Sequence, residues 1–187
     1  ADRIDAATLG LFDIATIYIG DRLGFYGALG SSVAITPSEL AAATGTRERF
    51  VREWCEQQAA VGILVCDDPG AEPHARRFLL PEGYRAILAD RDGPAFAAGG
   101  MPGLVAALAA LADLPDLVRL DPGPPPSDAA EAAARNGRGE ANRPVFRHLM
   151  AGWLASLRDS RARLAGSPPA RVLDVACGAG WSSIAIA

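Results

Sequence analysis

The stretch that most constrains this chain lies near its C-terminal end, Arg171-Val172-Leu173-Asp174-Val175-Ala176-Cys177-Gly178-Ala179-Gly180-Trp181-Ser182-Ser183. An apolar run (Val172, Leu173, Val175) carries an acid, Asp174, and ends in a glycine-rich turn. Ser182, Ser183 and the apolar Ile184, Ala185 and Ile186 then open a helix. Strand, tight loop and helix N-terminus form the first unit of a nucleotide-type α/β fold. Glycines let the backbone turn sharply and approach a ligand, and the first helical amides offer unpaired donors at the positive end of a dipole. The dinucleotide fingerprint Gly-x-Gly-x-x-Gly is not met, because Ser183 stands three positions after Gly180.

The front of the chain reads differently. Residues from about Asp5 to Leu29 predict one long helix. Leu9, Phe12, Ile17, Leu23, Phe25, Tyr26 and Leu29 give it an apolar surface broad enough to be buried against more than one neighbour, in a core or a subunit interface. Thr36-Pro37-Ser38-Glu39 is a helix start with Thr36 at the N-cap, Pro37 at the first position and Glu39 closing a capping box. That helix stops at Gly45. Thr46 then caps a second helix, with Phe50, Val51, Trp54, Cys55 and Ala59 at helical spacing and Gly62 at its end. Ile63–Cys66, the turn Asp67-Asp68-Pro69-Gly70, and Arg77–Leu80 predict a two-stranded wing, followed by a short helix from Pro81. Together these make a winged helix.

Charge decides how that element is read. From Thr36 to Cys66, Arg47, Arg49 and Arg52 stand against Glu39, Glu48, Glu53 and Glu56, so the segment is one unit negative where phosphate binding wants a basic face. The whole chain carries −4, with no footprint for nucleic acid or an anionic membrane. Nucleic acid is therefore not an expected partner, and a scaffold or dimer element is the better reading. Three cysteines (Cys55, Cys66, Cys177) without CxxC spacing predict reduced thiols, no zinc site and no other metal site. With no signal peptide and with Asp13, Asp21 and Arg22 interrupting the first apolar stretch, the expected location is the cytoplasm.

Residues 94–120 are rich in alanine and leucine and broken by Gly99-Gly100, Pro102-Gly103 and Pro115, which fits two or three short helices. Asp121–Asp128 reads as a stiff connector and Arg135–Glu140 as a flexible one. From Ala141 a helix carries Phe146, Leu149, Met150, Trp153, Leu154 and Leu157 on its apolar side and ends in the basic turn Arg158, Arg161, Arg163. The expected organisation is a mainly α winged-helix, dimer-forming domain over 1–120, a linker over 121–140, and over 141–187 the start of an α/β Rossmann-like domain. A single strand leaves its edges unpaired, so the chain reads as the front portion of a longer protein.

An apolar strand, an acid and Ala-Cys-Gly-Ala-Gly resemble motif I of the class I S-adenosylmethionine-dependent methyltransferases, an acid followed by Gly-x-Gly-x-Gly. Here Ala176 takes the place of the first glycine, and its methyl group adds bulk beside the expected methionine moiety. With the winged helix before it, nearly the whole chain resembles the N-terminal half of two-domain methyltransferases, including small-molecule O-methyltransferases. It is most similar to a bacterial group that spans methyltransferases and winged-helix regulators. Glu53–Ala59, Gly20–Gly24 and Gly180–Ala185 resemble that group's recurrent segments.

The resemblance implies S-adenosylmethionine as cofactor, methyl transfer to a small-molecule acceptor, and a homodimer built through the N-terminal domain. It implies that Asp174 orients the methionine amino group and that the backbone of Ala176, Cys177, Gly178, Ala179 and Gly180 packs on methionine and ribose. The ribose-binding acid of such enzymes would fall beyond Ala187. Phe146, His148, Met150 and Trp153, on the helix before motif I, are candidates to line the substrate pocket. His148 is also the candidate base, while His74 in the polar wing reads as a solvated side chain. The competing expectations are a winged-helix transcriptional regulator that keeps the cofactor fold as a ligand sensor, and a purely structural dimerisation module.

Overall fold

The computed structural model describes residues 2–112, 114–119, 127–168 and 170–187. The chain forms two compact units that divide between Met101 and Pro102, inside what the sequence suggests is the first domain.

Unit 1 begins with α1 (Asp2–Arg22) and the one-turn α2 (Phe25–Ala28), where the sequence predicts a single helix. Gly24 makes the difference. It sits at φ 74°, a left-handed conformation that ends one helix and starts the next. The break turns Phe25, Tyr26 and Leu29 into the core while most of α1 stays outside it. α1 is not broadly buried in the core of unit 1, for Leu9 and Phe12 are exposed and Gly20 is its buried residue.

The helix-turn-helix is α3 (Pro37–Thr44) and α4 (Glu48–Ala60). The capping box is present in full: Thr36 Oγ1 accepts from the Glu39 amide at 3.2 Å, and the Glu39 carboxylate accepts from the Thr36 amide at 2.7 Å. The Thr36 amide, and after it the Thr36 hydroxyl donating at 3.1 Å, hold the Glu39 carboxyl below its ordinary pKa. Gly45, at φ 65°, closes α3. Thr46 does not cap α4 as expected. Its hydroxyl pairs with that of Thr44 at 2.9 Å, and Arg47 holds the N-cap position without a side-chain bond.

The wing is short, β1 (Val65–Cys66) against β2 (Phe78–Leu79), antiparallel with Val65 opposite Leu79 and Cys66 opposite Phe78. Ile35 adds a bridge to Phe78, which ties the entry of α3 to the wing. The Asp68 carboxylate accepts from the Gly70 amide at 3.0 Å and so tightens the turn. A helix α5 (Glu82–Leu88) and a 3₁₀ turn at Ala98–Gly100 complete the unit.

The core of unit 1 is organised on α4. Trp54 packs between Phe25 and Tyr26, with ring centroids 4.8 and 5.3 Å away, and donates from Nε1 to the Thr16 carbonyl at 2.9 Å. Gln58, fully buried, accepts from the Tyr26 hydroxyl at 2.6 Å and donates to Thr16 Oγ1 at 3.2 Å. Its backbone carbonyl accepts from Ile63 and Leu64. A buried amide is tolerated only when its donors and acceptors are met, and here they tie α1, α2 and α4 to one another. Burial pushes the Tyr26 phenol up, helped by the Asp21 charge. Burial likewise pushes the Cys55 thiol up to about 12, with smaller contributions from Glu56 and Cys66. Cys55 is therefore an inert packing residue. Phe50, expected on the inner face of α4, is instead 66 % exposed.

Unit 2 contains α6 (Met101–Ala110), whose first residue is the last of unit 1, then α7 (Leu114–Arg119), α8 (Asp128–Ser156), α9 (Arg158–Leu164) and α10 (Trp181–Ile186). The stiff connector expected over 121–126 lies outside the described residues. Arg135–Glu140, expected as a flexible connector, forms part of one continuous helix, α8. The reason lies in what the two glycines touch. A Cβ on Gly137 would overlap Gly103 of α6, and a Cβ on Gly139 would stand 2.6 Å from the Ala179 Cβ. Their intrinsic cost to a helix is offset by the close approaches they permit. The basic turn expected to end that helix is a separate one, α9.

The expected strand at Val172–Val175 is not formed. Among the described residues the only sheet is β1–β2, and residues 170–174 run without secondary structure, with Leu173 85 % exposed. A parallel strand is stable when neighbours pair both its edges and cover both its faces, and none of the described residues does so here. The observed class is mainly helical with a winged helix-turn-helix, and a Rossmann-like start is not seen.

Candidate functional site

In unit 2 the glycine loop and α8 border a cleft of about 860 Å³. The loop side contributes Asp174 and Ala176–Ala179, with Trp181 and Ser182 beyond them. The α8 side contributes Glu131, Arg135, Arg138, Asn142 and Phe146, spaced so that they share one helix face. Ala106, Ala107 and Ala110 of α6 form an apolar wall.

The loop owes its shape to three left-handed residues, Ala176 at φ 58°, Gly178 at φ 59° and Gly180 at φ 79°. The space where side chains of Gly178 and Gly180 would project is empty out to 4 Å. Their backbone is therefore bare, which is the form a loop needs to receive a ligand closely. Ala176 occupies a conformation that favours glycine, so the departure from Gly-x-Gly-x-Gly costs backbone strain in addition to the bulk of a methyl group.

Asp174 is held by its own loop. Its Oδ2 accepts from Ser182 Oγ at 2.6 Å and from Ser183 Oγ at 2.8 Å. These hydroxyls, Ser182 first, pull the Asp174 carboxyl below the ordinary carboxylate range. The group is an anion at neutral pH with acceptor capacity to spare. The loop is also clamped to α8. Ala179 seats on Gly139, and the Arg143 guanidinium stacks 5.0 Å from the centre of the Trp181 ring.

Of the residues singled out from sequence, Asp174, Ala176, Cys177, Gly178, Ala179 and Phe146 meet at the cleft. Gly180 is the hinge into α10 and does not line it. His148, Met150 and Trp153 do not line it either. Met150 is buried, while Trp153 packs edge-on to Phe146 at 6.4 Å. His148 sits on the exposed side of α8. Sequence reasoning missed Ser182 and Ser183 as partners of Asp174, and missed the face Glu131, Arg135, Arg138 and Asn142. The 4-3-4 spacing of that face is visible in the residues, but Gly137 and Gly139 read as a break and hid it.

Unit 1 is a winged helix-turn-helix domain, and residues 10–90 match the Rv2258c-like winged HTH domain family. No curated protein matches the chain. Among solved structures it resembles human N-acetylserotonin methyltransferase in complex with SAM, with TM-score 0.57, 14 % identity and coverage of 84 % of this chain and 46 % of that one. It also resembles the mitomycin 7-O-methyltransferase MmcR, with TM-score 0.56, 21 % identity, and coverage of 80 % and 46 %. A third is an O-methyltransferase family protein from Burkholderia thailandensis, with TM-score 0.57, 17 % identity, and coverage of 100 % and 53 %. At these identities the likeness is one of fold, and the chain spans about half the length of each structure.

Proposed function

We propose that the chain is the N-terminal portion of an S-adenosylmethionine-dependent methyltransferase acting on a small molecule, and that the glycine loop holds the cofactor. The observation that carries this reading is the bare, left-handed backbone at Gly178 beside an ionised Asp174, both open to one cleft, with Gly180 turning the loop into α10. The residues fit the group. Asp174 would accept from the methionine ammonium, and the backbone of Ala176–Gly180 would pack on methionine and ribose. Bound there, the cofactor would supply an electrophilic methyl on a sulfonium. The chain's contribution is to align the acceptor and exclude water, which can supply several kcal/mol of a displacement barrier, roughly 7–11 in well-oriented cases. Phe146 offers an apolar contact to the acceptor. His148 lies outside the cleft, so no base is assigned, and the chain alone is expected to be inactive.

We take the winged helix as a clasp and dimer element rather than a reader of DNA. α4 carries Glu48, Glu53 and Glu56 against Arg49 and Arg52, and Arg52 is paired with Glu48 at 3.5 Å, so the helix has no net positive charge. The exposed apolar side of α1 and Phe50 of α4 suit a second copy of the chain.

Calorimetry of S-adenosylhomocysteine against the intact protein tests the reading. Saturable binding that Gly178→Val abolishes is expected, because valine at φ 59° is strained and fills the open space. Absence of affinity in the intact protein would sink the proposal.

A further inference from the structure

The cleft contains two guanidinium groups that the cofactor loop does not account for. Arg135 and Arg138 stand on one face of α8, and both line the cleft. Among the described residues neither has an ion-pair or hydrogen-bond partner, unlike Arg143, which is engaged by Trp181 and Glu140. Glu131 precedes Arg135 by four positions, the order that favours a helical ion pair, yet the two do not pair. Asp174, the other acid lining the cleft, pairs with neither arginine, and its Oδ2 accepts from Ser182 and Ser183. The facing wall of Ala106, Ala107 and Ala110 supplies no counter-charge.

We propose that Arg135 and Arg138 bind a carboxylate of the methyl acceptor, so that the acceptor of this cleft is an acid with an apolar body. The inference rests on the cleft being the methyl-transfer site. Position along α8 carries it beyond that. Gly139 marks where the loop seats; Arg138 stands one residue before it, and Arg135 and Glu131 lie about 6 and 12 Å farther along the helix, so that the pair reaches away from the loop. A guanidinium matches a carboxylate in a planar, two-bond geometry, and the alanine wall takes the apolar part.

The methionine end of the cofactor carries a carboxylate as well, and the experiment separates the two sources. Calorimetry on the intact protein and on Arg135→Gln, Arg138→Gln and the double variant would use four probes. These are S-adenosylhomocysteine, 5′-methylthioadenosine (which lacks the amino acid), and, on protein saturated with the former, 4-hydroxybenzoate and 4-hydroxybenzamide. Both arginines are exposed, so the variants should fold, which circular dichroism checks. The expected result is unchanged nucleoside binding, with 4-hydroxybenzoate favoured over the amide in the native protein and weakened about tenfold or more in the double variant. Loss of S-adenosylhomocysteine with 5′-methylthioadenosine unchanged would assign the arginines to the cofactor and overturn the acceptor site. Unchanged binding of every probe, or no binding of the acid by native protein, would overturn it too. If the native protein binds neither nucleoside, the methyltransferase reading itself fails, and this inference with it.

Discussion

Ala176 shows what a single methyl group does when the backbone beneath it is left-handed. A non-glycine residue at φ 58° carries strain of roughly 1–2 kcal/mol, part of which glycine would return as unfolded-chain entropy. Ala176→Gly should therefore raise the stability of unit 2 by up to about 1 kcal/mol, read as a higher urea midpoint at unchanged slope. Asp174 makes a second prediction at this scale. Its folded pKa is depressed by Ser182 and Ser183, so its contribution is present above the unfolded carboxyl pKa and is lost as pH falls through the folded one. Carboxyl chemical shifts should titrate below the ordinary aspartate range in the native protein. Ser182→Ala with Ser183→Ala should bring the midpoint back up, and a midpoint that stays put would mean the hydroxyls do not set it.

Among the elements, α1 and α8 show glycine used for proximity. Gly20 is the position where α1 reaches the aromatic centre of unit 1, and a Cβ there would stand 2.5 Å from Trp54 Cζ2 and 2.8 Å from Tyr26 Cε2. Neither ring is free to yield, because each is fixed by a hydrogen bond as well as by packing. Gly20→Ala should cost roughly 1–3 kcal/mol despite its better helix propensity. Gly10→Ala, with nothing within 4 Å, should be neutral or mildly stabilising. Denaturation of the two variants side by side separates overpacking from propensity. In α8 the same logic explains why a helix passes through Gly137 and Gly139, and why its polar face reaches the glycine loop as one ordered row.

At the scale of the molecule, α1 leaves Ile4, Leu9, Leu11, Phe12 and Ile19 exposed, Leu23 just after it is exposed too, and Phe50 stands out from α4. No described helix is long and apolar enough to cross a membrane. The proposed covering of these residues by a second copy predicts a dimer in sedimentation velocity. Leu9→Glu with Phe12→Glu should shift the native protein toward monomer without lowering helix content. A native protein that is monomeric at tens of micromolar would remove the dimer from the proposal.

Much of unit 1 was legible in its residues alone. Thr36-Pro37-Ser38-Glu39 specifies a helix start through bonds made within four residues, Gly45 and Gly62 end helices because they accept positive φ, and the turn at Asp68 closes on its own side chain. The acid and bare glycines of the loop were legible for the same reason, since their geometry is local. Tertiary structure decided what depends on distant partners. It split the first helix at Gly24 so that Phe25 and Tyr26 meet Trp54, and it carried α8 through two glycines because Gly103 and Ala179 needed the room. It also left Val172–Val175 unpaired, because a strand exists only by virtue of its neighbours.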